Sequence, residues 1–303
     1  MKNSRSTSQL FNFTQDSYLE RTSRPIYATI FLLPFIIFYE IGTILINTDT
    51  LNQSQVRVVT FVWLLNLFEY LGIDSKVAWA APPLAVVIIL AALQLTSGKK
   101  WHFGLRDVWP MTIECILLAI PLIVLSLFLN GSARPEADMN QFANDTMRVQ
   151  TEAVTSCSLA ATVSLPTALA AGYGGQPATE QSLLANIITG IGAGIYEELI
   201  FRLILICLLM VLLQDVLQLS HNVAIMAAVL ISAGLFSAHH HIVFLNGQFG
   251  QSTPFNWTEF SFRTIAGVYF AILFAMRGFG ITAGTHVFYD IIAVFINASF
   301  FRQ

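Results

Sequence analysis

The sequence contains few ionisable side chains. Only 11% of its 303 residues are Asp, Glu, Lys or Arg, whereas a soluble domain typically carries about 25%. So few charges cannot cover a globule of this size with a solvated surface, and lipid must therefore face much of the chain. Hydrophobic residues make up 55% of the sequence and the mean hydropathy is +0.66. This composition excludes an ordinary soluble protein.

Basic residues and cysteines are also sparse. Fifteen Lys and Arg against eighteen Asp and Glu give a formal net charge of -3. No basic stretch with interleaved aromatic residues is present, so we expect no nucleic-acid partner. The three cysteines, Cys115, Cys157 and Cys207, are an odd number at no metal-like spacing, and we interpret them as small buried hydrophobic residues.

Long apolar runs predict an all-α fold, a polytopic transmembrane helix bundle with about 7 to 8 membrane helices. A spanning helix needs roughly 20 predominantly apolar residues. The sequence predicts spans over residues 26–46, 77–95, 112–129, 183–201, 203–219, 222–244, 264–276 and 280–301. We therefore expect a multi-pass integral membrane protein, located in the plasma membrane if the source is prokaryotic, with the lipid bilayer as a partner.

The segment 57–73 is predicted to be an interfacial helix rather than a further span. Lys and Arg concentrate in short cytoplasmic loops, so the basic N-terminus should be cytoplasmic. If 57–73 crossed the membrane, the loop that carries Lys99, Lys100 and Arg106 would lie outside. Four regions follow: a polar cytoplasmic N-terminus (1–25), an N-terminal transmembrane region (26–130), an extramembrane loop (131–182) and a C-terminal transmembrane domain (183–303).

Ionisable residues within apolar runs are informative because each costs several kcal/mol, about 2.5 or more, to bury in hydrocarbon. Glu40, Glu69 and Glu114 stand alone in the N-terminal half, and we interpret them as snorkelling or interhelical hydrogen-bonding groups. The first grouped residues are Glu197, Glu198 and Arg202. On a helix Glu198 and Arg202 share a face and favour an ion pair, whereas Glu197 points about 100° away and is left over.

Two further groups follow. His239, His240 and His241 come after Phe236 near the end of an apolar run, and alone they could be a surface cluster or a metal site. His286 and Asp290 are four residues apart and share a helical face, where Asp290 could simply hold one tautomer of a buried histidine. Together, however, the three groups indicate one polar cavity with a base, water and an oxyanion stabiliser, which is what hydrolysis of an amide requires.

The three motifs resemble those of the CAAX-protease and bacteriocin-processing family, whose members are intramembrane glutamate proteases of the type II CAAX prenyl endopeptidase kind. The family order is EExxxR, FxxxH and HxxxN or HxxxD. It is matched by Glu197-Glu198-Leu199-Ile200-Phe201-Arg202, by Phe236-Ser237-Ala238-His239-His240 and by His286-Val287-Phe288-Tyr289-Asp290. The resemblance covers about 183–301 and implies a membrane-embedded endopeptidase for a membrane-associated protein or peptide, in CAAX processing or in bacteriocin processing or immunity.

The resemblance also implies roles for the matched residues. Glu197, assisted by His240, would activate a water molecule, and His286 with residue 290 would stabilise the oxyanion. Glu198 and Arg202 would hold the first motif and Phe236 would pack near His240. Asp290 replaces the Asn of many members, and an ionised Asp cannot donate a hydrogen bond to an oxyanion, so it is expected to orient His286.

Several alternatives remain open at the level of sequence. His239 or His241 could replace His240 if the helix has another register. We expect no cofactor, although Glu197, His240 and His286 could alternatively bind zinc; the helical HExxH pattern of zinc proteases is absent. The alternative functions are a non-catalytic membrane scaffold of the same fold and a transporter with an intramembrane ionisable relay.

Overall fold

A computed structural model describes residue 14 and residues 16–48, 58–131, 178–245, 248–251 and 255–300. Most of the predicted loop 131–182 and residues 1–13 of the predicted N-terminal region lie outside these described residues. The helices of the N-terminal half are α1 (Tyr18–Thr22), α2 (Pro25–Thr48), α3 (Val59–Tyr70), α4 (Ser75–Ala78), α5 (Ala81–Ser97) and α6 (Val108–Gly131), with a 3₁₀ turn at Leu105–Asp107.

The C-terminal half begins with one long helical run. It consists of α7 (Ala178–Glu198), a π-helical segment (Leu199–Ile204), α8 (Leu205–Met210) and a second π-helical segment (Val211–Val216). The run is followed by α9 (His221–Ala238), strands β1 (Ile242–Leu245) and β2 (Gln248–Gln251), α10 (Trp257–Arg277) and α11 (Phe279–Phe300). The two strands form a short antiparallel hairpin with Ile242 opposite Gln251.

Six helical segments among the described residues are long and apolar enough to cross a membrane. They are Pro25–Ile46, Leu105–Leu129, Leu183–Val216, His221–Ala238, Trp257–Arg277 and Phe279–Ser299. The chain is therefore an all-α, multi-pass integral membrane protein, as its composition predicts. The shorter apolar helices α3 and α5 complete the bundle; α3, with 12 residues, is about 18 Å long and too short to cross the bilayer by itself.

Two predicted span boundaries are wrong, and the predicted span 77–95 falls on α4 and on α5, which is one of the shorter apolar helices. The separate spans 183–201 and 203–219 are one continuous segment, Leu183–Val216, because Arg202 pairs with Glu198 on the same helix and does not interrupt it. The span 222–244 ends at Ala238, because the chain turns at the three histidines and enters the hairpin. The first difference places Glu197 inside a long helical run rather than near its end.

Glycines on α7 allow α11 to approach closely. A Cβ added at Gly190 would lie 2.8 Å from Cβ of Asp290, and one at Gly194 would lie 2.6 Å from the backbone nitrogen of Val287. Small residues commonly mark such interfaces in membrane proteins, because close backbone approach maximises van der Waals contact. The pairing of α7 with α11 brings the EExxxR and HxxxD motifs together.

A network of hydrogen bonds links α10 with α6 and α1. Arg277, at the end of α10, donates to both carboxylate oxygens of Glu114 on α6, at 2.5 and 2.7 Å. It also donates to the carbonyl oxygen of Leu19 and to Oγ1 of Thr22, each at 2.9 Å. Glu114 is therefore an interhelical hydrogen-bonding group, as expected. Glu40 is another, because it accepts a 3.2 Å hydrogen bond from Tyr196 Oη.

Candidate active site

The first motif lies where α7 changes into a π-helical segment. Glu197 and Glu198 are the penultimate and last residues of α7, and their exposed fractions are 4% and 0%. Arg202 lies in the π-helical segment that follows. Short π-helical segments inside α-helices are often found at functional sites.

Glu198 and Arg202 are held together inside the bundle. Oε2 of Glu198 lies 3.1 Å from Nε of Arg202, as their spacing predicts. Nη2 of Arg202 donates to the carbonyl oxygen of Gly267 at 3.3 Å, and the guanidinium lies 4.2 Å from the ring centroid of Phe236. This contact is a cation–π interaction. Phe236 therefore stabilises Arg202 of the first motif and also packs near His240.

Glu198 also binds the histidine of the third motif. His286 Nδ1 lies 2.7 Å from Glu198 Oε1, and its Nε2 lies 3.6 Å from Oδ2 of Asp290. The longer distance exceeds hydrogen-bond length, so the carboxylate hydrogen-bonded to His286 is that of Glu198, on another helix. The ring of Phe270 stacks on His286 with centroids 4.5 Å apart. Sequence reasoning missed Glu198 in this role because the two residues are 88 positions apart.

Glu197 faces two imidazole rings. Its Oε1 lies 3.6 Å from Nε2 of His239 and 3.9 Å from Nε2 of His240. Both rings direct Nδ1 at the carbonyl oxygen of Phe236, at 2.5 and 2.9 Å. A carbonyl oxygen can only accept hydrogen bonds, so each Nδ1 carries a hydrogen atom and each Nε2 is directed at Glu197.

The third histidine of the triplet faces another direction. His241 is buried, and its ring lies 5.2 Å from that of Phe255 and 6.1 Å from that of Phe260, by centroids. The turn after Ala238 therefore separates the triplet, so that His239 and His240 adjoin Glu197 while His241 packs near the start of α10. His240 is the residue at the motif position, and His239 is the slightly nearer neighbour of Glu197.

One cluster among the described residues could bind a metal ion. Glu197, His239 and His240 each offer one ligand atom, and these atoms all lie within 4.8 Å of one another. The cluster differs from the zinc alternative predicted from the sequence, because it contains His239 instead of His286. The reason is geometric, since the group of mutually close ligand atoms contains none from His286.

Helix α3, outside the three motifs, packs against the site. The ring of Trp63 lies 5.9 Å from that of His239 and 6.4 Å from that of Phe201, by centroids. Phe61 on the same helix lies 5.1 Å from Tyr196, which directly precedes Glu197. No motif marked this helix, and the aromatic residues of the predicted interfacial segment were its only signal.

The two adjacent glutamates of the first motif have different partners. Glu198 is engaged by Arg202 and His286, whereas Glu197 faces imidazole nitrogens that can accept or return a proton. A carboxylate and an imidazole placed together are suited to general acid–base chemistry on a bound water molecule. The buried third imidazole, His286, lies on the side of Glu198.

Residues 179–292 match the family model described as Type II CAAX prenyl endopeptidase Rce1-like. The match covers less than half of the chain, and it includes all three motifs and every site residue named above except Trp63 and Phe61 of α3. It confirms the resemblance expected from the motifs. Comparisons with curated proteins and with solved structures gave no significant match.

Proposed function

We propose, from the match of residues 179–292 to the type II CAAX prenyl endopeptidase family, that this protein is an intramembrane endopeptidase. It hydrolyses a peptide bond in a membrane-associated protein or peptide by means of a water molecule that Glu197 and His240 activate. The family described by the match consists of CAAX-type proteases, so the substrate we assign is a CAAX-type C-terminal segment.

The observation that carries this proposal is the different engagement of the two adjacent glutamates. Glu198 is bonded to His286 and paired with Arg202, while the Oε1 atom of Glu197 faces two imidazole Nε2 atoms. A general base must have a lone pair available for the proton that it abstracts. Each oxygen of Glu198 lies against a nitrogen of Arg202 or His286, so Glu197 is the better candidate for the base.

The chemistry follows from these positions. Glu197 accepts a proton from water as the water oxygen attacks the scissile carbonyl carbon, and the carbonyl oxygen becomes an oxyanion. His240, whose Nδ1–H is fixed by the carbonyl of Phe236, presents Nε2 as a second proton acceptor beside the carboxylate. The abstracted proton then passes to the departing amide nitrogen as the C–N bond breaks, which releases an amine and a carboxylic acid.

We assign the stabilisation of this oxyanion to His286. The Nδ1 side of this ring is fixed by Glu198, so Nε2 is its only other polar atom. Asp290 lies 3.6 Å from that atom and orients the ring electrostatically rather than donating to the oxyanion. Preorganised donors of this kind typically contribute about 3 to 4 kcal/mol to transition-state stabilisation.

The test compares cells that express the wild type with cells that express Glu197→Gln, by mass spectrometry of the termini of membrane-associated proteins. Loss of a general base typically lowers the rate about 100-fold or more, so specific truncated termini should disappear in the variant. Glu69→Gln is the matched control, because Glu69 is an exposed glutamate on α3. It should retain every cleavage product.

Equal sets of termini in the wild-type and Glu197→Gln cells, with both proteins present at equal amounts in the membrane, would contradict the proposal. A flux assay in liposomes then distinguishes the remaining functions. Ion- or proton-coupled flux that requires Glu197 would indicate a transporter, and absence of both activities would indicate a scaffold.

A further inference from the structure

The atoms that face one another in the Glu197 cluster are all electron-pair donors. With Nδ1–H directed at the carbonyl of Phe236, a neutral His239 or His240 presents a lone pair at Nε2. These lone pairs point at Oε1 of Glu197, which is itself an acceptor. The three ligand atoms lie within 4.8 Å of one another, with Glu197 and His239 buried and His240 partly buried. A proton or a metal ion between these atoms would relieve the repulsion among their lone pairs.

The separations between the ligand atoms are slightly longer than those in a tetrahedral zinc site. Zinc binds imidazole nitrogen and carboxylate oxygen at about 2.0 to 2.2 Å, so in a tetrahedral site the donor atoms lie roughly 3.4 Å apart. The separations from Glu197 Oε1 are 3.6 Å to His239 and 3.9 Å to His240. The two separations from the carboxylate thus exceed the zinc value by a few tenths of an ångström, and all three ligand atoms lie within 4.8 Å of one another.

Secondary contacts support the same interpretation. Metal-binding histidines commonly donate their other ring N–H to a backbone carbonyl or carboxylate, which fixes the tautomer and the direction of the ligating nitrogen. The carbonyl of Phe236 does this for both His239 and His240. Two imidazoles and one carboxylate suit zinc and similar transition ions, whereas calcium and magnesium prefer oxygen ligands alone.

We infer that Glu197, His239 and His240 form a binding site for a divalent transition-metal ion, with zinc as the best fit, and that the ion inhibits the peptidase. The inhibitory part rests on the function proposed above. His239 is the distinctive member of this site, because the FxxxH motif supplies only His240.

Inhibition follows from the atoms that the ion would occupy. The lone pair of Glu197 that binds the ion is the one that accepts the proton of water. Zinc proteases of the HExxH type keep a glutamate outside the ligand set as the base. Here the neighbouring Glu198 is bonded to His286 and paired with Arg202, so it cannot replace Glu197.

The binding test uses the purified full-length protein in detergent after treatment with a chelator. Isothermal titration with Zn²⁺ should give one bound ion per chain, and titration with Mg²⁺ should give none. His239→Gln should weaken zinc binding at least tenfold, since changes in outer-shell partners alone cost about 10- to 100-fold. His241→Gln is the matched control from the same triplet, because His241 packs against Phe255 and not against Glu197.

Thermal denaturation checks that His239→Gln is folded. X-ray absorption at the zinc edge of the zinc-bound wild type should show two imidazole nitrogens and a carboxylate oxygen as ligands. Zinc that binds equally well to the wild type and to His239→Gln would overturn the site. The activity test follows a cleavage product found in the wild type while zinc occupancy is raised. Activity should fall in proportion to occupancy, and it should recover with chelator.

The outcomes separate this inference from the proposed function. Absence of zinc binding, together with cleavage that requires Glu197, overturns the metal site and leaves the peptidase in place. Cleavage that rises with zinc occupancy overturns the inhibitory role. Zinc binding that requires His239 in a protein without peptidase activity supports the site and overturns the proposed function.

Discussion

His286 and Glu198 join two helices through a 2.7 Å hydrogen bond between Nδ1 and Oε1. Glu198 is fully buried and its other oxygen lies 3.1 Å from Nε of Arg202. One carboxylate thus fixes the arginine of the first motif and the histidine of the third. The spacing of the EExxxR motif predicts the ion pair with Arg202 but gives no indication of the bond to His286.

Replacing Glu198 should destabilise the bundle. In Glu198→Ala, the buried Arg202 loses its ionic partner and His286 loses its hydrogen bond, which should cost about 3 kcal/mol or more of unfolding free energy. Glu198→Gln should be less severe because its amide oxygen can still accept from His286. Thermal unfolding in detergent measures both, with the exposed Glu69→Ala as the control. Equal unfolding temperatures for all three variants would contradict the role of Glu198.

Gly194→Ala should disrupt the contact between α7 and α11. The new Cβ would lie 2.6 Å from the backbone nitrogen and 2.9 Å from Cα of Val287, and backbone atoms at such distances must shift. Gly234→Ala on α9 is the matched control, because no atom lies within 4 Å of its added Cβ. Alanine favours a helix by about 0.5 to 1 kcal/mol over glycine, so the control should be neutral or stabilising. The thermal unfolding temperature should fall for Gly194→Ala, and it should stay the same or rise for Gly234→Ala.

Trp63→Ala should lower the proposed peptidase activity more than it lowers the stability of the protein. Trp63 lies on α3, outside the segment that matches the family, and contacts His239 and Phe201. Its removal frees the His239 ring on one side, while the helix keeps its Phe61 contact with Tyr196. The measurement is the amount of each cleavage product relative to Trp79→Ala, which removes an exposed tryptophan. Unchanged products in a folded Trp63→Ala would show that α3 does not support the site.

Arg277→Met should weaken the attachment of α1 to the bundle. The arginine makes hydrogen bonds to Glu114, to the carbonyl of Leu19 and to Thr22, and methionine makes none. Breaking a mostly buried ion pair typically costs about 3 to 5 kcal/mol, so unfolding should occur at a lower temperature. Limited proteolysis near residues 16–24 should also become faster. Arg106→Met, at an exposed position, should leave both measurements unchanged.

Part of the site could be predicted because it depends on spacing along one helix. Glu198 and Arg202 are four residues apart and form the expected ion pair. His286 and Asp290 share a face of α11, although their distance of 3.6 Å is too long for a hydrogen bond. The catalytic roles of Glu197, His240, His286 and Asp290 stay predictions, as does the division of the chain into four regions.

The choice among three adjacent histidines could not be predicted in the same way. It depends on where α9 ends, and the helix ends at Ala238 rather than at residue 244. In the turn that follows, the carbonyl of Phe236 holds His239 and His240 beside Glu197, while His241 packs near Phe255 and Phe260. A helical wheel continued through this turn would assign the three rings to the wrong directions.

The sequence by itself determined that this is a membrane protein, that its fold is helical and that three short motifs carry its polar residues. These properties depend on composition and on contacts three or four residues apart, which the period of a helix fixes. Only the tertiary structure decided that Glu198 binds His286, that His239 joins His240 beside Glu197 and that α3 covers the site. Those contacts depend on how closely separate helices approach. Residues far apart in the sequence set that distance, as where the missing Cβ of Gly194 leaves room for the backbone of Val287.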